Sequence, residues 1–178
     1  MIITLSGTPA SGKSSIAKLL AKKLSYKHYS MGDLQRDIAK QKGITITELG
    51  ILQSKDKSID LMIDEKQKNL GLNEDNFVLD SRLSAKFINN SIKIFVDADP
   101  IIRAQRRFNE KRDGENFDDL DKTIENMALR EKINQERFIK FYDFDFLDLT
   151  NYDLIIDSSS LNINECVDKI VDYCNLIS

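Results

Sequence analysis

The 178-residue chain is poor in cysteine, proline and glycine, with two, two and seven of them respectively, and each shortage excludes something. Cys166 and Cys174 lie eight apart near the C-terminus. On one helix that is two turns, about 12 Å at 1.5 Å per residue, too far for a disulfide. Two thiols without a partner pattern read as small core residues of a protein kept in a reducing compartment. With so little proline and glycine there is no linker, and no repeat or low-complexity tract, so one domain burying its own core is expected. No apolar run approaches the ~20 residues that span a bilayer. The first strand-like run begins at Ile2, which leaves no room for a cleavable leader. The expectation is a soluble cytoplasmic protein without a membrane partner. An excess of basic charge is missing too: 26 Lys and Arg against 29 Asp and Glu, net −3, excludes a nucleic-acid binder with a broad basic face.

The charge that is present is uneven. Arg103, Arg106, Arg107, Lys111 and Arg112 fall within ten residues that carry one acid, Glu110. Local basicity in an acidic protein points to a small anionic ligand.

Apolar runs at Ile2 to Ser6, Phe77 to Asp80, Ile92 to Asp97 and Tyr152 to Asp157, with a weaker one at Lys27 to Ser30, read as strands. Helical patterns lie between them, and such alternation predicts a parallel sheet with helices on both faces. From about 31 to 76 three helical pieces follow one another without a strand. One ends at Gly43, the next starts on the Thr45 and Glu48 capping-box spacing, and the third carries Ile59, Met62, Ile63 and Gln67 before Gly71 ends it. They read as an insertion resting on the sheet, suited to binding substrate. Asp99-Pro100 starts a further helix. Asp113-Gly114 marks a turn, Asp118, Asp119 and Asp121 favour a long helix to about Phe141, and Asn162 with Glu165 caps the last one.

Gly7-Thr8-Pro9-Ala10-Ser11-Gly12-Lys13-Ser14 is a P-loop set between a strand and a helix. Its backbone N–H groups would wrap a phosphate, with glycines at the ends for the turns, and the helix N-terminus would add its partial positive charge. Residues 7 to 15, with Ser15 closing the loop, are the expected ATP cradle. Lys13 would reach the β- and γ-phosphates, and the Ser14 hydroxyl would bind Mg²⁺ directly.

Phosphoryl transfer needs a second anion site and mobile cations in a water-excluded cleft. Ser30, Gly32, Asp33 and Arg36 sit where the second strand ends, the side on which a parallel sheet binds ligands. Asp80 ends a buried strand, where a carboxylate is costly unless paired, and is assigned to waters of the Mg²⁺ shell or to ordering the cleft. Arg82 beyond it would clamp an acceptor phosphate. Arg103, Arg106 and Arg107 before the polar turn, with Arg130 and Arg137 seven apart after it, make a lid that closes cations over the transferring phosphoryl group, and Arg103, Arg106, Arg130 and Arg137 join Lys13 in catalysis.

Taken together, the chain resembles the nucleoside monophosphate kinases, most closely the archaeal-type cytidylate kinases. The likeness runs through "LSGTPASGKS", "SMGDLQR", "FVLDSRL", Arg130-Glu131 to Arg137-Phe138, and "YDLIIDSSS", and so covers nearly the whole length. It implies a three-layer α/β/α P-loop NTPase core with a five-stranded parallel sheet (1–30, 71–103 and 119–178), an acceptor-binding insertion at about 31–70 and a short lid at about 104–118. It implies transfer of the γ-phosphoryl of ATP to CMP or dCMP with Mg²⁺, by a monomer, without nucleic acid. Asp60 and Asp64 are candidates to accept from the exocyclic amine of cytosine. Ser81 stands where glycine is expected, and Tyr142-Asp143-Phe144-Asp145 where the pattern has "YGID". Other small P-loop kinases and a regulatory nucleotide switch are the competing readings; the Asn-Lys-x-Asp segment of a guanine-selecting switch does not occur.

Overall fold

A computed structural model describes residues 1–110 and 119–177. Five strands, β1 (Ile2–Gly7), β2 (Lys27–Ser30), β3 (Phe77–Asp80), β4 (Ser91–Asp97) and β5 (Leu154–Asp157), form one sheet in the order β2-β3-β1-β4-β5. All pairings are parallel, with Leu5 opposite Asp80, Gly7 opposite Val96 and Asp97 opposite Asp157. The helices are α1 (Lys13–Leu24), α2 (Met31–Lys42), α3 (Ile46–Lys55), α4 (Ser58–Asn73), α5 (Ser84–Phe87), α6 (Pro100–Asn109), α7 (Leu120–Tyr142) and α8 (Ile163–Ile177). The result is the three-layer α/β/α P-loop fold that the strand and helix alternation implied. Among the described residues no helix is long and apolar enough to cross a membrane.

The three central strands, β1, β3 and β4, feed a core on each face of the sheet. Ile3, Leu5, Val78, Ile94, Val96 and Ile156 meet Ile16 and Leu20 of α1 and Val167 and Ile170 of α8, together with both buried free thiols. On the opposite face Phe77 and Leu79 pack on Met31, Ile63, Leu70 and Ile88, while Phe95 packs with Phe138, Phe146 and Tyr152. Burial on both faces is why these strands read as continuous apolar runs.

Local signals set most helix ends. Thr45 and Glu48 form the reciprocal capping box of α3, and Asn162 and Glu165 exchange the same pair of bonds at α8. Asp99 caps α6 ahead of Pro100, Asp119 caps α7, and Gly43 ends α2 at φ 66°. Asp143, where the family pattern has glycine, ends α7 in the left-handed conformation at φ 48°.

Three expectations need correcting. Helix α4 runs through Gly71 to Asn73; a Cβ at Gly71 would come within 3.1 Å of Ile88, so its role is close packing rather than termination. Met62 is 53 % exposed, and the buried stripe of α4 is instead Asp60, Ile63, Asp64, Gln67 and Leu70. Helix α3 rests on α7 through Gly50 beside Ile133 and Gln53 on Arg137, not on the sheet. Residues 111–118 of the expected lid, including Lys111, Arg112, the Asp113-Gly114 turn and Asp118, lie outside the described residues.

Gly7 shows how closely β1 and β4 meet at the loop. At its φ of 152° a Cβ would lie 2.1 Å from the Val96 carbonyl oxygen, a backbone atom that cannot swing aside. Gly7→Ala is expected to cost at least the upper end of the about 1–3 kcal/mol typical of overpacking, read as a lowered urea midpoint at unchanged slope.

Candidate active site

Gly7, Ser30, Asp80, Asp97 and Asp157 end the five strands on one edge of the sheet, which is where the chain between β1 and α1 turns back. Ala10 at φ 60° and Gly12 at φ 86° fold that turn into a concave loop. Thr8 donates from its amide to the Val96 carbonyl at 3.3 Å and from its hydroxyl to Asp97 Oδ1 at 2.6 Å, and Ser11 Oγ donates to the Thr8 carbonyl at 3.0 Å. Helix α1 has neither a side-chain cap nor an acid in its first turn. Its first N–H groups therefore point into the loop without an internal acceptor, the arrangement that suits a bound anion.

Behind the loop lies Asp80, 2 % exposed. Its carboxylate takes the Lys13 ammonium on Oδ1 and a hydrogen bond of 2.5 Å from Ser14 Oγ on Oδ2. Burial, then the positive charges of Arg82, Arg36 and Arg130, pushes the Lys13 pKa down. Asp33 draws it back up, and the Asp80 carboxylate against its Nζ supplies the counter-charge in direct contact.

A cavity of about 660 Å³ opens in front of the loop. Its charged lining is Lys13, Arg36, Arg82, Arg106, Arg107 and Arg130 against Asp80 and Glu110, with Asn126, Met127 and the stretch Leu161 to Asn164 completing the wall. Six cations over two acids give the cavity a positive field suited to a polyphosphate. Arg106 is fixed by two bonds to Ser158, one to Oγ at 3.0 Å and one to the carbonyl at 2.7 Å. Ser158 Oγ in turn donates to the Ser11 carbonyl at 2.7 Å, so α6 is tied to the loop.

A second, smaller cavity of about 50 Å³ adjoins the first and shares Lys13, Gly32, Asp80 and Arg82 with it. Its far wall is Asp60, Asp64 and Gln67 of α4 with Ser81. Tyr142 donates to Asp64 at 2.6 Å, and Gln53 donates to Asp60 at 2.9 Å. Burial raises both carboxyl pKa values; Asp60 is pushed up to about 6, with Arg137 drawing it down and Asp64 driving it further up.

Several residues expected in the site are used elsewhere. Arg103 lies outside the cavity wall, its Nε donating to the Ala98 carbonyl at 3.0 Å and its Nη1 to Glu131 at 3.0 Å, which fastens α6 to α7. Arg137 is 2 % exposed among Asp60, Gln53 and Asn134, away from the loop, because the Asp60 carboxylate at 3.3 Å and the Gln53 carbonyl at 2.5 Å hold it there. Ser30 caps α2 by accepting from the Asp33 amide at 3.1 Å, and Asp33 carries the Arg36 guanidinium, so both support the wall rather than line it. Arg130 and Arg137 share a face of α7 as their spacing of seven requires, but two turns apart they meet different neighbours, the cavity for Arg130 and the junction with α3 and α4 for Arg137. Conversely, Arg107, Ser158 and Asn126 line the cavity. Arg107 was among the expected lid cations, and its Nη1 donates to the Glu110 carbonyl at 3.2 Å; Ser158 and Asn126 were not expected, and the signal for Ser158 was its place directly after the last strand.

The sequence pattern of the Cytidylate kinase-like family matches residues 2–160. The cytidylate kinase of Archaeoglobus fulgidus is 38 % identical over 96 % of this chain and 93 % of its own. That of Methanococcoides burtonii is 35 % identical over 97 % of both chains, and that of Saccharolobus islandicus 37 % identical over 100 % of this chain and 93 % of its own. Among solved structures, an uncharacterized protein from Eubacterium ventriosum superposes with a TM-score of 0.71 at 19 % identity over 98 % of both chains. A shikimate kinase from Bacteroides thetaiotaomicron gives 0.67 at 16 % over 98 % of both. At those identities the two structures establish the fold alone.

The raised Asp60 pKa has a measurable sign. Between its ordinary 3.8 and about 6 the folded chain holds a proton that the unfolded chain has lost, so this group's contribution to stability is present at low pH and is lost as pH rises through 6. The melting temperature of the parent relative to Asp60→Asn is expected to fall between pH 4 and pH 6.5; a difference that is flat or rises with pH would show Asp60 ionised throughout.

Proposed function

Because the chain belongs to the Cytidylate kinase-like family, whose members are phosphotransferases acting on nucleoside monophosphates, we propose that its cleft moves the γ-phosphoryl group of ATP to CMP or dCMP. The observation that carries this reading is the shared wall of the two cavities. Lys13 and Arg82 belong both to the positive cavity at the loop and to the pocket whose far side is acidic and polar. One molecule can therefore place a phosphate at the cations while its base reaches α4, and its phosphate then faces the loop's own anion.

The residues divide the work accordingly. The loop amides and Lys13 hold the β- and γ-phosphates, and the stretch from Leu161 to Asn164, partly apolar and partly amide, suits the donor's base. Arg36 and Arg82 take the acceptor phosphate. An oxygen of that phosphate attacks the γ-phosphorus while the bond to the β–γ bridging oxygen breaks, so the products are the diphosphate and ADP without a covalent enzyme intermediate. Charge moving toward the bridging oxygen is met by Lys13, Arg106, Arg107 and Arg130, of which Arg106 and Arg107 are held by hydrogen bonds to Ser158 and to the Glu110 carbonyl. Asp60 or Asp64 accepts from the exocyclic amine.

The residues beside Lys13 fit Mg²⁺. Ser14 Oγ and the Asp80 carboxylate are adjacent hard oxygens, and among the described residues no group of three or more Asp, Glu, His or Cys makes a self-sufficient metal cage. A sparse oxygen set is what Mg²⁺ uses when substrate phosphates and water supply the rest of its shell. When bound there it would neutralise phosphate charge, with Ser14 as a direct ligand and Asp80 reached through water. The cleft is complete within one chain, which supports a monomer, and the absence of a spanning helix among the described residues agrees with action in the cytoplasm.

A coupled assay of ADP release with CMP, dCMP, UMP, AMP and shikimate tests the reading. CMP or dCMP is expected to give the highest kcat/KM, and no stimulation by any nucleotide would sink it. Lys13→Ala should lower kcat by about 10²–10³ and, because it strips the buried Asp80 of its counter-charge, should also lower the melting temperature, whereas Arg82→Ala should raise the KM for the acceptor well above any change in the KM for ATP. An Arg82→Ala effect confined to ATP would move that arginine to the donor side.

A further inference from the structure

We infer that Ser81 sets the base preference of the acceptor pocket by locking the Gln67 carboxamide as a hydrogen-bond donor, an inference that rests on the cytidylate reading of that pocket. Helix α4 spaces Asp60, Asp64 and Gln67 four and then three apart, so all three share one face, and each is at most 3 % exposed. Ser81 faces them from the end of β3. Its Oγ donates to Gln67 Oε1 at 2.6 Å, a length that belongs to O–H···O rather than N–H···O bonds and so puts the amide oxygen, not the nitrogen, toward the serine. Ser81 itself is pinned, its amide donating to the Leu5 carbonyl at 3.0 Å and its carbonyl accepting from Ser84 Oγ at 2.7 Å.

With its oxygen turned to Ser81, the carboxamide directs Nε2 away from that serine, and no described residue accepts from that nitrogen. One helical turn away Asp64 accepts a single hydrogen bond, from Tyr142, and a carboxylate has further lone pairs. The pocket therefore offers an acceptor beside a donor. Cytosine shows the complement on one edge: its amine donates, and N3 and O2 accept. Uracil shows O4 as an acceptor and N3–H as a donor, so it would set oxygen against carboxylate and N–H against N–H. A carboxamide free to turn over would accept from uracil N3–H and remove one of the two mismatches; the Ser81 hydroxyl opposes that turn, because an Oγ that accepted from Nε2 would leave its own buried hydrogen without the Gln67 oxygen it now bonds. Selectivity of this kind comes from leaving the wrong partner's buried polar groups unpaired.

The test compares kcat/KM for CMP and UMP in the parent, Ser81→Ala and Ser81→Thr, with the KM for ATP and the melting temperature recorded for each. Ser81→Ala is expected to lower the CMP:UMP ratio by at least about tenfold while the KM for ATP stays put. Ser81→Thr, which keeps the hydroxyl, should retain most of the ratio even if its extra methyl lowers stability. A parent ratio surviving in Ser81→Ala would overturn the inference, as would equal losses in the two variants, since those track packing and not the hydroxyl. A parent inactive on both nucleotides fails the cytidylate reading itself, a result visible before any variant is made, and removes this inference with it.

Discussion

A single buried carboxylate, Asp80, organises the cleft. It takes an ammonium on one oxygen and a hydroxyl on the other, both from the first turn of α1. Such a group is tolerable in the interior only when both oxygens are satisfied by charge or hydrogen bonds. The strand order supplies the condition: β3 lies beside β1, so the last residue of β3 comes level with Leu5 and under the loop that follows. In any order that separated β1 from β3, Lys13 would stand among Arg36, Arg82 and Arg130 without a counter-charge, and the loop would lose the support behind it.

The second polar cluster, Arg137 with Asp60, Gln53 and Asn134, does a different job. It lies where α3, α4 and α7 meet, and it fixes the register of the helices between β2 and β3 against the long helix that also carries Arg130. A hydrophobic contact there would pack as tightly but would tolerate sliding; a forked guanidinium with two directed hydrogen bonds, to Gln53 and Asn134, and an ion pair to Asp60 does not. Because Asp60 and Gln67 sit on the same face of α4 as Asp64, that register also decides where the pocket wall stands relative to Ser81.

Features governed by neighbours in the chain were legible in the sequence. The loop motif, the Thr45 capping box, the Asp99-Pro100 helix start and the burial of Cys166 and Cys174 each depend on residues within one or two turns or on one helical face. Failures arose where an opposing element decides. Arg103 and Arg106 look alike in the basic cluster, yet Glu131 across the helix pair draws the first away from the cavity and Ser158 holds the second inside it. Periodicity alone does not show that Asp60 and Asp64 are buried while Met62 is exposed, because acids are usually solvated; Arg137 and Tyr142, distant in sequence, make their burial possible. Gly71 has the look of a helix end, and only the approach of Ile88 explains it.

These two clusters give the cleft an electrostatic axis. Its loop side is lined by arginines and Lys13, and its α4 side by two carboxyls whose ionisation burial resists. A nucleoside monophosphate is itself polarised, anionic at the phosphate and, in cytosine, electropositive at the exocyclic amine. The reverse orientation would place phosphate against Asp60 and Asp64 in a medium where like charges repel far more strongly than in water. On the proposed function, orientation is thus set before any base-specific contact is made, and the finer discrimination among bases falls to the neutral groups Gln67 and Ser81 at the acidic end.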